Sequence, residues 1–525
     1  MTADSNIKRS SSINSAIHTN LIHMEAHKRV FINTLSQYIK AIITTCLSLY
    51  TVRLVLSALG QSDYGIYSLV AGTIALLGFI INALVITTQR HLSFSQGQNN
   101  LHAQRKYFSN SLLIHLVIGT LLPLFLFLFQ DYLCSIFFNI PDSRREAAAE
   151  VYFLMLGILF LTFLSAPFKA ALISHENIVY ISIVEILDGV FKLTLAIILL
   201  ELHTDKLITY TVILLFIYLF EFFAYSCFAV SKYKECRPLK VIADYDKKIV
   251  AELANFTKWT TYGMGAVVLR TQGLSILLNR FFGTLINAAY GIALQMYGAV
   301  SFVSTSVINA MNPILMKSEG ANDHDRMLRI AEKECKYVVA MMATLFIPLI
   351  VELDSLLDIW LKDVPDYAAF FCRCLLACFL IDQCTYGLNS ANQAMGNIKK
   401  YTLLMYTPKI AYLPIAYVLL KTGSSIEIIM YVFIAIEAIV ALMRIPFLHN
   451  SANLNMTQFA IHVFGKIIPL ILFMSCVSLA LHQLVYPLSF LVNMAVAAFL
   501  GLLFIWFFVF TQDERQMLKH IIIKK

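Results

Sequence analysis

The sequence predicts an all-α integral membrane protein with about 14 transmembrane helices, and three observations lead to this fold class. First, 59% of the residues are hydrophobic and only 14% are charged, whereas soluble domains are roughly 45–50% apolar. Second, fourteen apolar segments approach the roughly 20 residues that a helix needs to cross the hydrocarbon core of a bilayer. Third, basic residues are concentrated in alternate connections between these segments.

The apolar segments are continuous rather than alternating, as in IHLVIGTLLPLFLFLF. This pattern excludes membrane-spanning β-strands, and helices satisfy every backbone polar group within lipid. The predicted spans are 33–57, 66–88, 109–131, 148–168, 178–200, 207–230, 259–280, 287–309, 337–360, 368–390, 401–420, 426–448, 464–484 and 488–511.

Lysine and arginine residues set the predicted orientation, since cytoplasmic loops of membrane proteins carry an excess of them. With a cytoplasmic N-terminus, 29 of the 40 basic residues lie at cytoplasmic ends and loops, seven on the outer side and four within spans. We therefore predict that both termini are cytoplasmic. The net charge of +8 reflects this asymmetry, and no nucleic-acid partner is expected because no basic domain is present.

Two parts of the chain resemble each other, which predicts a pair of six-helix lobes. The matched motifs are Leu59-Gly60 with Phe282-Gly283, Tyr64-Gly65-Ile66 with Tyr290-Gly291-Ile292, and Gly97-Gln98-Asn99-Asn100 with Gly320-Ala321-Asn322-Asp323. The Tyr-Gly-Ile motifs are 226 residues apart. Lobes with an even number of helices enter the membrane from the same side, and such pairs usually enclose a central cavity.

The predicted organisation follows from these spans and from the repeat. It comprises a flexible cytoplasmic N-terminus (1–32), an N-terminal lobe (33–230), a cytoplasmic linker (231–258), a C-terminal lobe (259–448), two additional helices (449–511) and a cytoplasmic tail (512–525).

Short loops argue against an enzyme, since none could hold a catalytic domain. The chain has no Gly-x-x-x-x-Gly-Lys phosphate-binding loop, so no built-in ATPase and no cofactor is expected. Cys374 and Cys378 are one helical turn apart, but cysteines in lipid-embedded spans more often serve as small packing residues, and we predict no metal site.

Four arginines in or near spans are candidate substrate-binding cations, because a charge in mid-bilayer is costly and usually faces a wet cavity or a partner. Arg270 lies deepest, in GAVVLRTQGLSILLNR. It is predicted either to bind an anionic substrate group or to form a buried salt bridge. Arg53 either lines the cavity or extends towards the outer interface, and Arg280 and Arg373 are placed at that interface.

Acidic residues in two spans are candidates for coupling to an H⁺ or Na⁺ gradient. Glu185, Asp188 and Lys192 occupy one face of a single helix. Asp188 and Lys192 can pair, which would leave Glu185 to carry a proton, or the three form a structural stripe. Asp382, beside Gln383 and Tyr386, is the second coupling candidate.

Three segments resemble signature regions of bacterial polysaccharide exporters: RLVLSALGQSDYGIYSLVAGTIALLGFI, TTQRHLSFSQGQNN and GLSILLNRFFGTLINAAYGIALQMYGAVSFVSTSVINAMNPILMKSEG. The resemblance is to the Wzx-type O-antigen and lipid-linked oligosaccharide flippases, in the superfamily shared with multidrug-and-toxin extruders.

This resemblance implies a flippase in the bacterial cytoplasmic membrane that moves polyprenyl-diphosphate-linked oligosaccharide outward by alternating access, with membrane lipids and a polysaccharide polymerase as partners. It further implies that Arg270 and Arg53 contact the diphosphate or acidic sugars, with Lys192, Arg280 and Arg373 as further candidates. Three alternatives remain: a cation-coupled multidrug extruder, a membrane polymerase or ligase of glycans, and a scaffold without transport.

Overall fold

The computed structural model describes residues 3–75, 77–132, 140, 142–202, 204–237, 244–361, 364–483, 489–512 and 514–516. No strand occurs within these ranges. The main helices are α1 (Ala3–Ala75), α2 (Gly78–Gly97), α3 (Leu101–Phe127), α4 (Arg145–Ser174), α5 (Ile178–Glu201), α6 (Lys206–Lys232), α7 (Lys247–Phe282), α8 (Thr284–Gly320), α9 (His324–Val351), α10 (Leu353–Trp360), α11 (Ala368–Gln383), α12 (Tyr386–Met395), α13 (Ile398–Lys421), α14 (Ile426–Ala452), α15 (Met456–His482) and α16 (Phe490–Val509).

Ten described helices are long and apolar enough to cross a membrane, and eleven if the bent pair α11 and α12 is one span. Their surfaces expose large apolar side chains, among them Leu285 (78% exposed) and Leu128 (74%), as expected where lipid rather than water is the solvent. The all-α membrane fold is therefore confirmed. α1 begins at Ala3, inside the segment predicted to be flexible, and α7 begins at Lys247, inside the predicted linker.

Breaks in the helices recur at equivalent places in the two halves. Gly60 interrupts α1 with a φ of 76°, and Gly283 separates α7 from α8 with a φ of 84°. Asn99 and Asn322 have φ values of 53° and 59°, in the left-handed region that asparagine tolerates. Both pairs are 223 residues apart, three fewer than the Tyr-Gly-Ile motifs, so the second copy has nearly one more helical turn between its glycine and its motif.

Within the N-terminal half, α1 packs against α5 and α4 against α6. Within the C-terminal half, α7 packs against α13, α8 against α9, and α11 against α14. The two halves meet where α2 contacts α7 and α8, and where α1 contacts α8. The last two helices, α15 and α16, pack on α9, outside the interface between the lobes.

The lobes touch backbone to backbone where α2 and α8 end, a contact that we call the interlobe seal. A Cβ atom added at Gly97 would lie 2.1 Å from the carbonyl oxygen of Lys317. Reciprocally, a Cβ atom added at Gly320 would lie 2.0 Å from the carbonyl oxygen of Phe94. The sequence repeat had paired Gly97 with Gly320, and only glycine permits so close an approach.

Four glycines of α1 and α8 lie away from the interlobe seal and make no close contact. Gly65 and Gly72 on α1 and Gly291 and Gly298 on α8 have open space where a Cβ atom would be placed. The lobes are joined backbone to backbone at the face that holds the interlobe seal, here called the sealed face. By the distribution of basic residues, the sealed face is predicted to be cytoplasmic.

Candidate functional site

A cavity of about 570 Å³ lies in the C-terminal lobe and reaches the N-terminal lobe at α2. Its walls come from helices α7, α8 and α11 to α14, with Gly78, Phe79 and Asn82 contributed by α2. We call it the main cavity. Its lining is unusual for lipid-embedded helices because aromatic and charged side chains alternate around it: Phe79, Arg270, Tyr297, Phe379, Asp382, Tyr386, Tyr406, Lys409, Phe433, Glu437 and Arg444.

Five charged residues of this lining form one continuous chain of ion pairs, here called the charge cluster. Arg270 of α7 donates to Glu437 of α14. Lys409 of α13 lies 2.5 Å from the same carboxylate and 3.6 Å from Asp382 of α11. Arg444 of α14 completes the chain 2.5 Å from Asp382. The charge cluster therefore ties four helices together.

The helix break after α11 orients one end of the charge cluster. α11 and α12 meet at an angle of 48°, which exposes backbone carbonyl groups near Asp382. Arg444 uses one of them, donating from Nη1 to the Asp382 carbonyl oxygen at 2.8 Å. Thr385, in the break itself, donates its hydroxyl to the carbonyl oxygen of Ala441 at 2.9 Å. Both bonds attach the bend to α14.

The charge cluster holds three cations and two carboxylates, so its formal charge is +1. Arg270, Lys409, Glu437 and Arg444 are each at most 7% exposed, while the side chain of Asp382 is 16% exposed. The Nε atoms of Arg270 and Arg444 have no hydrogen-bond partner. Desolvated guanidinium groups with spare donors can bind an anionic or polar group that enters the cavity.

Aromatic rings border the cations on the cavity side. The Arg270 guanidinium lies 4.2 Å from the centre of the Phe433 ring, a cation–π distance. Lys409 lies 5.6 Å from the ring of Tyr406, and Arg444 lies 5.8 Å from that of Tyr386. The cavity can therefore accept apolar rings beside a charged group.

In the N-terminal lobe, the acidic residues predicted on α5 have partners. The Glu185 carboxylate accepts from Lys40 of α1 and Lys169 of α4, each at 2.7 Å, so the expectation that it lacks a partner is wrong. Those lysines lie on other helices, and the spacing of residues within α5 carries no information about partners outside that helix. Asp188 and Lys192 do pair, at 2.8 Å, although the Oδ1 atom of Asp188 has no hydrogen-bond partner.

The five cations predicted to bind substrate do not converge. Arg270 lines the main cavity, but it also forms the salt bridge that was the other interpretation. Lys192 belongs to the stripe on α5 and lies 4.8 Å from the Tyr218 ring. Arg53 and Arg280 are exposed. Arg373 donates to Asp354 at 2.5 Å and to a backbone carbonyl group.

Sequence analysis missed Lys409 and Arg444 as site residues, because it counted both as cytoplasmic basic residues at span ends. In the structure they lie well inside α13 and α14 and are buried. Lys169, counted in the same way, is inside α4 and pairs with Glu185. The signal available was position: Lys409 and Arg444 each lie on a helix that continues for two or more turns on either side of them, and Lys169 lies more than one turn from the end of its helix.

Comparisons with known proteins place this geometry in a recognised fold. The MatE family model matches residues 38–198, and no curated protein matches the chain. Among solved structures, a MATE in the bent conformation has a TM-score of 0.69 at 12% identity, covering 82% of this chain and 97% of its own. An outward-facing multidrug resistance MATE transporter of the MOP superfamily has a TM-score of 0.65 at 12% identity, with coverages of 79% and 93%.

A third similar structure is a MOP superfamily transporter from Pyrococcus furiosus, whose description infers a different function from the reverse polarity of its binding pocket. Its TM-score is 0.66 at 13% identity, and the match covers 82% of this chain and 96% of that one. These likenesses establish the fold, and they agree with the expectation of a transporter rather than an enzyme.

The comparisons also correct the family predicted from sequence. The resemblance to Wzx-type flippases is wrong, because the matching family model is MatE and the similar structures are MATE transporters. The lipid-linked oligosaccharide and the polymerase partner, which followed only from that resemblance, lose their support. The motifs misled because glycine and asparagine at helix breaks are requirements of the shared two-lobed fold, whatever the substrate.

Proposed function

We propose that this protein is an ion-coupled exporter of small amphipathic compounds that works by alternating access. The observation that carries the proposal is the main cavity, in which cationic, acidic and aromatic groups converge between the C-terminal lobe and α2 of the N-terminal lobe. A cavity of this size suits a drug-sized molecule, for which pockets of about 300–1,000 Å³ are typical.

Each group of the site has a proposed role. Arg270, Lys409 and Arg444 bind the polar end of the substrate, while the aromatic rings accept its apolar part. Asp382 is the proposed coupling residue of this lobe, because its carboxylate is the most exposed of the charge cluster. Glu185 and Asp188 remain coupling candidates in the other lobe. Of the cations predicted from sequence, only Arg270 lines this cavity, and the proposal retains it alone as a substrate contact.

The charges that line the main cavity bear on whether the preferred substrate is anionic or cationic. One similar structure is described as a multidrug resistance transporter and another by the reverse polarity of its pocket. The +1 charge of the cluster favours substrates with an anionic or neutral polar end over purely cationic ones. We therefore expect stronger transport of anionic than of cationic dyes.

The test uses purified protein in liposomes, with efflux of one anionic and one cationic fluorescent dye measured under an imposed proton or sodium gradient. Lys409→Met should reduce transport of the preferred dye by at least about tenfold, the equivalent of one charge-assisted hydrogen bond. Arg373→Gln removes a cation outside the main cavity and serves as the matched control. Absence of gradient-driven flux for every dye, with folded protein, contradicts the proposal.

A further inference from the structure

Glu334, on α9, is a buried carboxyl group whose charge nothing balances. Its exposed fraction is 0%. One carboxyl oxygen accepts a hydrogen bond from the Ser390 hydroxyl at 2.7 Å, and the other, Oε2, has no hydrogen-bond partner. Within the described residues no ion pair includes it, whereas Glu437 has two cations and Glu514 accepts from Lys336 at 2.8 Å.

An unpaired carboxylate is expensive in such surroundings, because burial removes its hydration and supplies no opposite charge. A protonated carboxyl group avoids most of this cost. The packing seen here therefore fits a neutral Glu334, and ionisation requires that water or a cation reach Oε2 or that the surrounding helices move.

The titratable side chains that face Glu334 are few. Electrostatic contact extends to Cys335 on its own helix and to Tyr386 on α12. Four charged or titratable groups on elements around α9 have ionic partners of their own: Asp382 on α11 with Arg444, His462 on α15 with Glu332, Glu514 beyond α16 with Lys336, and Lys317 on α8 with Glu176.

α12, the short helix that contacts Glu334, joins the main cavity to the opposite lobe. At its N-terminal end, Thr385 is held by Arg444 of the charge cluster at 3.3 Å. In its first turn, Gly387 lies so close to α9 that an added Cβ atom would be 2.2 Å from the Ala331 carbonyl oxygen. At its C-terminal end, Arg90 of α2 donates to the Ala394 carbonyl oxygen at 2.9 Å.

A second, smaller cavity of about 70 Å³ borders α12, which is enough for ordered water. Asn389 and Asn392 line it, and Tyr386 lines both this cavity and the main one. The Nδ2 atom of Asn392 has no hydrogen-bond partner. This polar space lies beside α12, the helix whose Ser390 donates to Glu334.

We propose that Glu334 is the proton-binding site that couples α12 to the interlobe seal. A proton from water binds Oε2, and the neutral carboxyl group lets α12 pack against α9 and offer its C-terminal carbonyl group to Arg90. Loss of the proton leaves a carboxylate that this packing cannot hold, so α12 moves and the contact with Arg90 weakens. The sealed state therefore binds the proton more tightly, and acid favours it by linkage.

This inference rests on the proposed alternating access, but its test needs no substrate. Spin labels at the exposed positions Leu101 and Asp325 report the distance across the sealed face in full-length protein in liposomes, with exposed native cysteines replaced. We expect the distance to increase as the pH rises from about 5 to about 9, the range in which buried glutamates can ionise. Glu334→Gln should keep the short distance throughout.

Two further variants keep the test decisive. Ser390→Ala removes a donor that favours the carboxylate, so the midpoint of the distance change should shift upward by about one pH unit. Glu332→Gln removes a less buried carboxyl group from the same helix and should leave the response unchanged. A pH-independent distance in the wild type, or a wild-type response in Glu334→Gln, overturns the proposal. Neither result depends on dye transport, and the dye-transport assay tests the proposed function separately.

Discussion

Individual charged residues were predicted from sequence only where their depth within a span was unmistakable. Arg270 lies near the middle of its apolar segment, so its burial could be foreseen. Lys409 lies among Tyr406, Pro408 and Tyr412, a composition that also suits a helix end, and its burial could not be foreseen. The ion-pair partners of these charged residues were harder still to predict. The lysines that bind Glu185, for example, lie on α1 and α4, on other helices than Glu185 itself.

At the same scale, the charge cluster predicts a sharp difference between two substitutions. Glu437→Gln removes the carboxylate shared by Arg270 and Lys409 and leaves the buried Arg270 without an acidic partner, which typically costs about 3–5 kcal/mol. Arg373→Ala breaks a more exposed pair, of a kind worth about 0–1 kcal/mol. Thermal unfolding in detergent should show a much lower Tm for Glu437→Gln than for Arg373→Ala. Equal Tm values would mean that the charge cluster adds nothing to stability.

At the scale of elements, the repeat in sequence located the breaks of the fold although it misjudged their spacing. Gly60 with Gly283 and Gly97 with Gly320 occupy equivalent positions in the two lobes, since each break needs a positive φ or a close backbone approach. The bend between α11 and α12 was not predicted. Its sequence contains neither proline nor glycine at the break. Its geometry depends on Arg444 of α14, which donates to the carbonyl oxygen of Asp382, and on Thr385, which donates to the carbonyl oxygen of Ala441 on α14.

The interlobe seal gives a prediction for these elements. Gly97→Ala places a methyl group against the Lys317 carbonyl oxygen, so α2 and α8 must separate and the sealed face should open. Cysteines at Leu101 and Asp325, cross-linked by reagents of graded length, should then require a longer linker. Gly65→Ala is the matched control, because an added Cβ atom there meets open space. An unchanged linker length in Gly97→Ala would show that the glycine contact is not what closes this face.

For the whole molecule, the fold class was within reach of sequence because it follows from apolar length, whereas the 14 predicted spans compare with ten or eleven helices of that kind among the described residues. The association of the two lobes could not be predicted from sequence, because it depends on contacts between residues more than 100 positions apart. Lys317 of α8 lies 2.5 Å from Glu176, which follows α4, and Thr257 of α7 donates to Thr87 of α2 at 3.0 Å. These polar contacts join helices of the two lobes that lie far apart in sequence.

Breaking the Lys317–Glu176 pair should therefore shift the population of whole-molecule states. Lys317→Met should favour the state open at this face by roughly two- to fivefold, the value of one partly exposed ion pair. Fluorescence energy transfer between labels on the two lobes can measure that population at low and high salt. The double variant Lys317→Glu with Glu176→Lys should restore the original distribution. If high salt leaves the wild-type distribution unchanged, the pair does not contribute to closure.

The uneven count of charges in the cluster has an electrical consequence. The cavity carries one more positive than negative charge on the C-terminal lobe, and in the alternating access proposed here a reorientation of that lobe displaces this charge relative to the membrane field. A full crossing of one elementary charge would change the free energy by about 2.3 kcal/mol per 100 mV, and a partial displacement by the corresponding fraction. In that proposed cycle the resting voltage of the cell would act on the conformational equilibrium directly, and a bound anion that neutralises the charge cluster would remove this effect.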